Sequence, residues 1–125
     1  VDGRWGRILL ASPPLAVALA AFDAQAQAGS VLVTWETVSE LDNAGFNLYR
    51  SATVGDIGVR LNDLLIPSDT PGGDQGASYG FLDGAALPGV TYYYTLEDVD
   101  LSGHATPHGP VAVTPWWVYM PLVER

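Results

Sequence analysis

Val31, Val33 and Trp35 alternate with Leu32, Thr34 and Glu36, and Phe46 and Leu48 alternate with Asn47 and Tyr49. This is the period-two pattern of strands that bury one face, so residues 31–37 and 45–51 are read as two strands with Trp35 in a core. Between them, Ser39-Glu-Leu-Asp-Asn-Ala-Gly45 is rich in residues that satisfy backbone groups locally or accept left-handed conformations. That composition predicts a joining loop.

The alternation returns along the rest of the chain. Val17, Leu19 and Phe22 are expected to supply a first strand, and Tyr79 and Phe81 to share one face within 78–83. Within 87–97, Tyr92, Tyr94 and Leu96 share one face while Tyr93, Thr95 and Glu97 share the other. Residues 59–66 are compatible with a short strand or one helical turn, of which the strand is expected, 68–76 are turn chemistry throughout, and 109–114 predict the last strand. No long stretch carries a helical period. Nine prolines and fourteen glycines, spread between short runs rich in Val, Thr and Tyr, point to all-β architecture.

These strands together resemble a fibronectin type III module. The residues that carry the likeness are Trp35 in the second strand, Gly45-Phe46 and Leu48-Tyr49 in the third, the corner Leu87-Pro-Gly-x-Thr-Tyr92, and the turn Asp100 to Gly103. The resemblance implies an immunoglobulin-like, seven-stranded β-sandwich over 15–114. It also implies that the Tyr92 hydroxyl ties back to the preceding loop, as in a tyrosine corner. Trp35, Phe46, Leu48, Tyr92, Tyr94 and Leu96 are the expected structural core. Trp35-Glu-Thr-x-Ser-Glu40 is similar to modules of large secreted and cell-surface bacterial proteins, which implies an extracellular location. The connection 52–76 is longer than in the commonest modules, which leaves the middle strand pairing open.

At 125 residues the chain fits one domain with terminal extensions, large enough to bury a core without staples. It has no cysteine, so disulfides and thiol chemistry contribute nothing. Fourteen acidic residues stand against five arginines and no lysine, for a net charge of −9. A surface of that sign repels phosphate backbones and anionic headgroups, which disfavours nucleic-acid binding and electrostatic docking on membranes. Only 15% of residues are charged while 48% are apolar, a balance that implies apolar surface covered by partners.

The excess apolar character lies at the ends. Arg4 and Arg7 precede an apolar run over 8–22 and the triplet Ala24-Gln-Ala26, which imitate a secretory signal with its cleavage site. The chain opens on Val1 rather than Met, however, and Pro13-Pro14 interrupts the run, so a mature chain is expected. Residues 1–14 are then an extended arm bearing Trp5, Ile8, Leu9 and Leu10, with the two prolines as a stiff separator. Residues 115–125 form a second apolar stretch, with Trp116, Trp117, Val118, Tyr119, Met120, Leu122 and Val123. It resembles the short aromatic tails that end some secreted bacterial surface proteins. No apolar run of ~20 residues is free of proline or charge, so no transmembrane helix is expected.

Chemistry-bearing constellations are sparse. His104 and His108 are four apart but lie among Gly and Pro, where no helix brings them onto one metal, and ordinary exposed histidines are expected. Neither a Gly-x-Ser-x-Gly elbow nor a Ser-His-Asp arrangement is visible. Glu36, Glu40, Asp98 and Asp100 offer carboxylates for glycoside hydrolysis, but nothing in the pattern converges them, and acidic loop residues are expected simply to solvate the surface. Asp98-x-Asp100-x-Ser102-Gly103 has the alternating oxygens of the first half of a calcium loop without the closing glutamate, and capping of a tight turn is the expected role. No cofactor is expected, with calcium at Asp98, Asp100 and Ser102 as the one candidate.

Two functions are compatible with this sequence. The first is a non-enzymatic extracellular subunit whose apolar arm adds as a strand to a neighbouring copy and so builds a filament, because a head-to-tail contact that does not close propagates. The second is an accessory adhesion or carbohydrate-binding module of a larger secreted protein, with Tyr49 and Tyr93 stacking on sugars. The two greasy ends favour the filament and a homopolymer as its partner; a glycan is the partner in the second.

Overall fold

The computed structural model describes residues 17–117, which form eight antiparallel strands. In chain order these are β1 (Ala18–Gln27), β2 (Ser30–Ser39), β3 (Asn43–Ser51), β4 (Val59–Arg60), β5 (Ile66–Pro67), β6 (Ser78–Asp83), β7 (Tyr92–Asp100) and β8 (Ala105–Val113). One sheet has the order β1-β2-β6; the other runs β4-β3-β7-β8, with β5 also paired to β3. Their apolar faces meet in a sandwich, because alternate residues of each strand point to one side.

The core is built from those alternating positions. Val31, Val33 and Trp35 of β2 face Phe46 and Leu48 of β3 and Tyr92, Tyr94 and Leu96 of β7, all buried. Trp35 stacks on Tyr79 of β6, with ring centroids 5.4 Å apart and planes 10° apart, and meets the edge of Phe46 at 5.5 Å. Such aromatic pairs add about 0.5–1.5 kcal/mol each beyond area burial. The Trp35 indole N–H has no hydrogen-bond partner among the described residues. Val17 is buried, and Leu19 and Phe22 of β1 pack against the core from the edge.

Three features differ from the sequence reading. Residues 39–45 are not a loop: β2 runs to Ser39, β3 begins at Asn43, and only Leu41 and Asp42 turn between them. The single strand expected over 59–66 is two short ones, giving eight strands rather than seven. Asn62 causes the break. Its side chain accepts from Leu48 N at 2.8 Å and donates to Asn47 Oδ1 and Leu64 O at 2.9 Å, so it satisfies β3 where a ladder would have run. Finally, β8 begins at Ala105 rather than 109 and accommodates Pro107 and Pro110, which an outermost strand tolerates because its far side pairs with no other strand among the described residues. A register shift between Tyr94 and Leu96, across which β8 supplies both Gly109 and Pro110 against Thr95, marks a bulge in β8 at Gly109.

Candidate functional site

Two polar clusters hold the sheets together, one at each end of the sandwich. At the first end, Glu40 is fully buried at the close of β2. Its carboxylate accepts from Thr37 Oγ1 at 2.7 Å, Asn43 Nδ2 at 2.9 Å, Tyr79 OH at 2.6 Å and Ser68 Oγ. Burial by itself raises a carboxyl pKa, but these four donors outweigh it and hold Glu40 below its ordinary value. Burial, with the contact to Glu40, pushes the Tyr79 hydroxyl up to about 12. Glu40 therefore does not solvate the surface, contrary to the sequence reading; it ties β2, β3, β6 and the segment after β5 into one knot.

At the opposite end, Asp83 of β6 reaches across to the second sheet. It accepts from Arg50 Nη1 with both oxygens at 2.9 Å, from Tyr94 OH at 2.7 Å and from Ala85 N at 3.2 Å. The Arg50 guanidinium also lies 5.0 Å from the centroid of the Tyr92 ring. Burial alone lowers the Arg50 pKa, but Asp83 more than reverses this and keeps the guanidinium charged. Burial and the Asp83 charge both push the Tyr94 phenol upward. The Tyr92 hydroxyl accepts from Leu87 N at 3.1 Å, closing the corner that leads into β7.

The carboxylates considered for catalysis or metal binding are dispersed. Asp98 is not in a turn but inside β7, on the core face and 3% exposed, where it pairs with Nε2 of His108. His108 is accordingly half-buried and bonded rather than an ordinary exposed histidine. Asp100 accepts from Ser102 N at 2.9 Å, Ser102 Oγ at 2.7 Å and His104 N at 2.8 Å, an arrangement that caps the β7–β8 turn. The Ser102 hydroxyl first, then the His104 amide, hold the Asp100 pKa below its ordinary value. Asp98 and Asp100 thus face different partners, and no group of three His, Asp or Glu side chains among the described residues is placed to hold a metal ion. Glu36 is exposed on β2.

A concave surface occurs on the outer face of the five-stranded sheet. Tyr93 and Thr95 of β7 form its floor, Gly55, Asp56 and Ile57 one wall, and Pro107, Gly109 and Pro110 of β8 the other, around a cavity of about 300 Å³. The 52–58 segment is fixed over this face by Ser51, whose Oγ accepts from Thr53 N and donates to Thr53 O, both at 2.9 Å. Tyr49 lies opposite Thr95 on β3 and donates to Glu97 at 3.0 Å. Burial and the Glu97 contact raise its pKa.

Of the terminal residues, Trp5, Ile8, Leu9, Leu10, Val118, Tyr119, Met120, Leu122 and Val123 lie outside the described residues. Pro115 is buried, and its carbonyl accepts from Gly89 N at 2.9 Å. Trp116 forms a parallel bridge with Ala28, its carbonyl accepting from Gly29 N at 3.1 Å. Trp116 and Trp117 remain 55% and 72% exposed. Among the described residues no helix is long and apolar enough to cross a membrane.

No protein-family model matches this chain, and no curated protein matches it in sequence. Among the solved structures similar in fold are the following two. One is a Fn3-like protein from Clostridium thermocellum, with a TM-score of 0.54 and 16% identity over 85% of this chain and 100% of that one. The other is a beta-1,2-glucanase from Parabacteroides distasonis, with a TM-score of 0.51 and 16% identity, covering 86% of this chain and 14% of the glucanase. The two-sheet topology, the core around Trp35 and these likenesses together make the fold a fibronectin type III-like β-sandwich.

Proposed function

We propose that the chain acts as a non-catalytic, fibronectin type III-like accessory module of an extracellular carbohydrate-active protein. The observation that carries this reading is the match of nearly the whole sandwich to a 14% portion of a beta-1,2-glucanase, the relation of an appended unit to a larger protein. The chemistry agrees. Glu40, Asp83 and Asp98 are each consumed in holding strands together, and Asp56 is the single carboxylate lining the groove among the described residues. A glycosidase needs two carboxyl groups flanking one bond, about 5–10 Å apart.

The filament reading retains one favourable observation, the exposed Trp116 and Trp117 beside the β1–β2 turn. One set of measurements separates the two. Under the module reading, the purified chain sediments as a monomer, shows no fibres in negative stain and releases no reducing sugar from soluble β-glucans. Fibres lost when residues 1–12 are removed establish the filament instead, and sugar release overturns the non-catalytic assignment.

A further inference from the structure

We infer that the outer groove of the five-stranded sheet is a binding site for a neutral sugar, one or two rings in length. This inference deepens the accessory-module reading and rests on it. The floor combines an aromatic ring, Tyr93, with a hydroxyl, Thr95, while Pro107 and Pro110 give one apolar wall and Asp56 stands on the other. A pyranose ring has an apolar C–H face and an equatorial belt of hydroxyls. The first suits the Tyr93 ring and the prolines, the second suits Asp56 and Thr95.

Tyr93 is available for this because of its neighbours. Its register partners are Ser51 on β3 and Ala112 on β8, both small, so neither fills the space above the ring. Asp56 Oδ1 accepts from Gly58 N at 3.2 Å, which fixes the carboxylate at the groove wall, and its other oxygen has no partner among the described residues. The wall itself is held close: a Cβ on Gly58 would stand 2.0 Å from Arg50 O. The groove is thus preformed rather than assembled on binding, which lowers the ordering cost of a weak ligand.

Charge selects the class of sugar. The chain carries −9 overall without a lysine, and among the described residues no cation lines the groove, so uronates, sulfated glycans and phosphates are repelled. A volume of about 300 Å³ is at the small end of ligand sites, which suits a mono- or disaccharide rather than a long chain.

The test is a titration of the isotope-labelled full chain with sophorose, a β-1,2-linked glucose disaccharide, followed by amide chemical shifts. The expected result is saturable shifts at Gly55, Asp56, Ile57, Tyr93, Thr95 and Gly109 with a Kd near about 1 mM. Tyr93→Ala should weaken binding about tenfold, and Asp56→Asn should weaken it while leaving the melting temperature unchanged. Glucuronate should produce no saturable shift. Absence of saturation with sophorose, shifts that persist in both variants, or tighter binding of glucuronate overturns the site. A monomeric, non-hydrolytic chain that fails this titration loses the groove but keeps its assignment as an accessory module.

Discussion

Replacing Glu40 with alanine is expected to destabilise the sandwich by about 3–5 kcal/mol. The structure sets that figure through the fate of each donor. Thr37 and Asn43 are buried at 6% and 0% exposure; the Asn43 donor stays dry when the carboxylate goes, at about 1–3 kcal/mol, while the Thr37 hydroxyl can turn to Ala77 O at 3.4 Å and loses less. Ser68 and Tyr79 are half-buried and rehydrate, contributing less. The vacated space adds a cavity term. At about 4 °C per kcal/mol for a domain near 100 residues, the melting temperature should fall by about 12–20 °C, readable by calorimetry or circular dichroism. Glu40→Gln should cost less, because the hydroxyls of Thr37 and Tyr79 can rotate to accept from the new amide while Asn43 keeps an acceptor. The pH dependence has a fixed sign. The native Glu40 pKa lies below the ordinary 4.5, so the unfolded chain takes up its proton first. This contribution is complete above the unfolded value and is lost as pH falls through the native one. Acid titration of stability below about pH 4.5 should therefore be shallower in Glu40→Gln than in the parent. An alanine variant within about 1 kcal/mol of the parent would refute the view of Glu40 as the knot of that end.

Other perturbations follow from the same geometry. His108→Ala leaves the buried Asp98 side chain without its hydrogen-bond partner and should lower stability by about 1–3 kcal/mol in urea titration, with part of the loss recovered when Asp98→Ala is added. Tyr92→Phe removes the acceptor for Leu87 N and should cost about 1 kcal/mol by the same assay. Gly76→Ala would place a Cβ 1.7 Å from Thr37 O and should cost about 3 kcal/mol or more, whereas Gly84→Ala, with nothing within 4 Å, should stay within about 0.5 kcal/mol. A large loss at Gly84 together with none at Gly76 would contradict the packing described for the β6 approaches.

The core was legible in the sequence because burial on a strand leaves a period of two. Val31, Val33, Trp35, Phe46, Leu48, Tyr92, Tyr94 and Leu96 all show it, and all are buried. Glu40 was not legible, since a buried carboxylate inside Ser-Glu-Leu-Asp-Asn has the same composition as a solvated loop. The one signal was spacing: Thr37 and Asn43 stand three residues to either side, both with donors that can reach back. Asp98 and His108 were misread for a related reason. Asp98 follows Tyr92, Tyr94 and Leu96 at the same period, so continuing the inward face by one step would have placed it in the core. The 104–110 segment was hidden by its prolines and glycine, which exclude an interior strand but not an outer one. The groove depends on the 52–58 segment folding over β7, a long-range contact that alternation cannot encode.

The two prolines of β8 have a further effect on how copies behave when crowded. An exposed sheet margin normally offers a row of amide donors on which a second sheet can grow. Pro107 and Pro110, with the bulge at Gly109 between them, remove donors and bend the margin over a four-residue span. Two copies of the sandwich brought close together therefore lack, along β8, a flat rail on which to zip together.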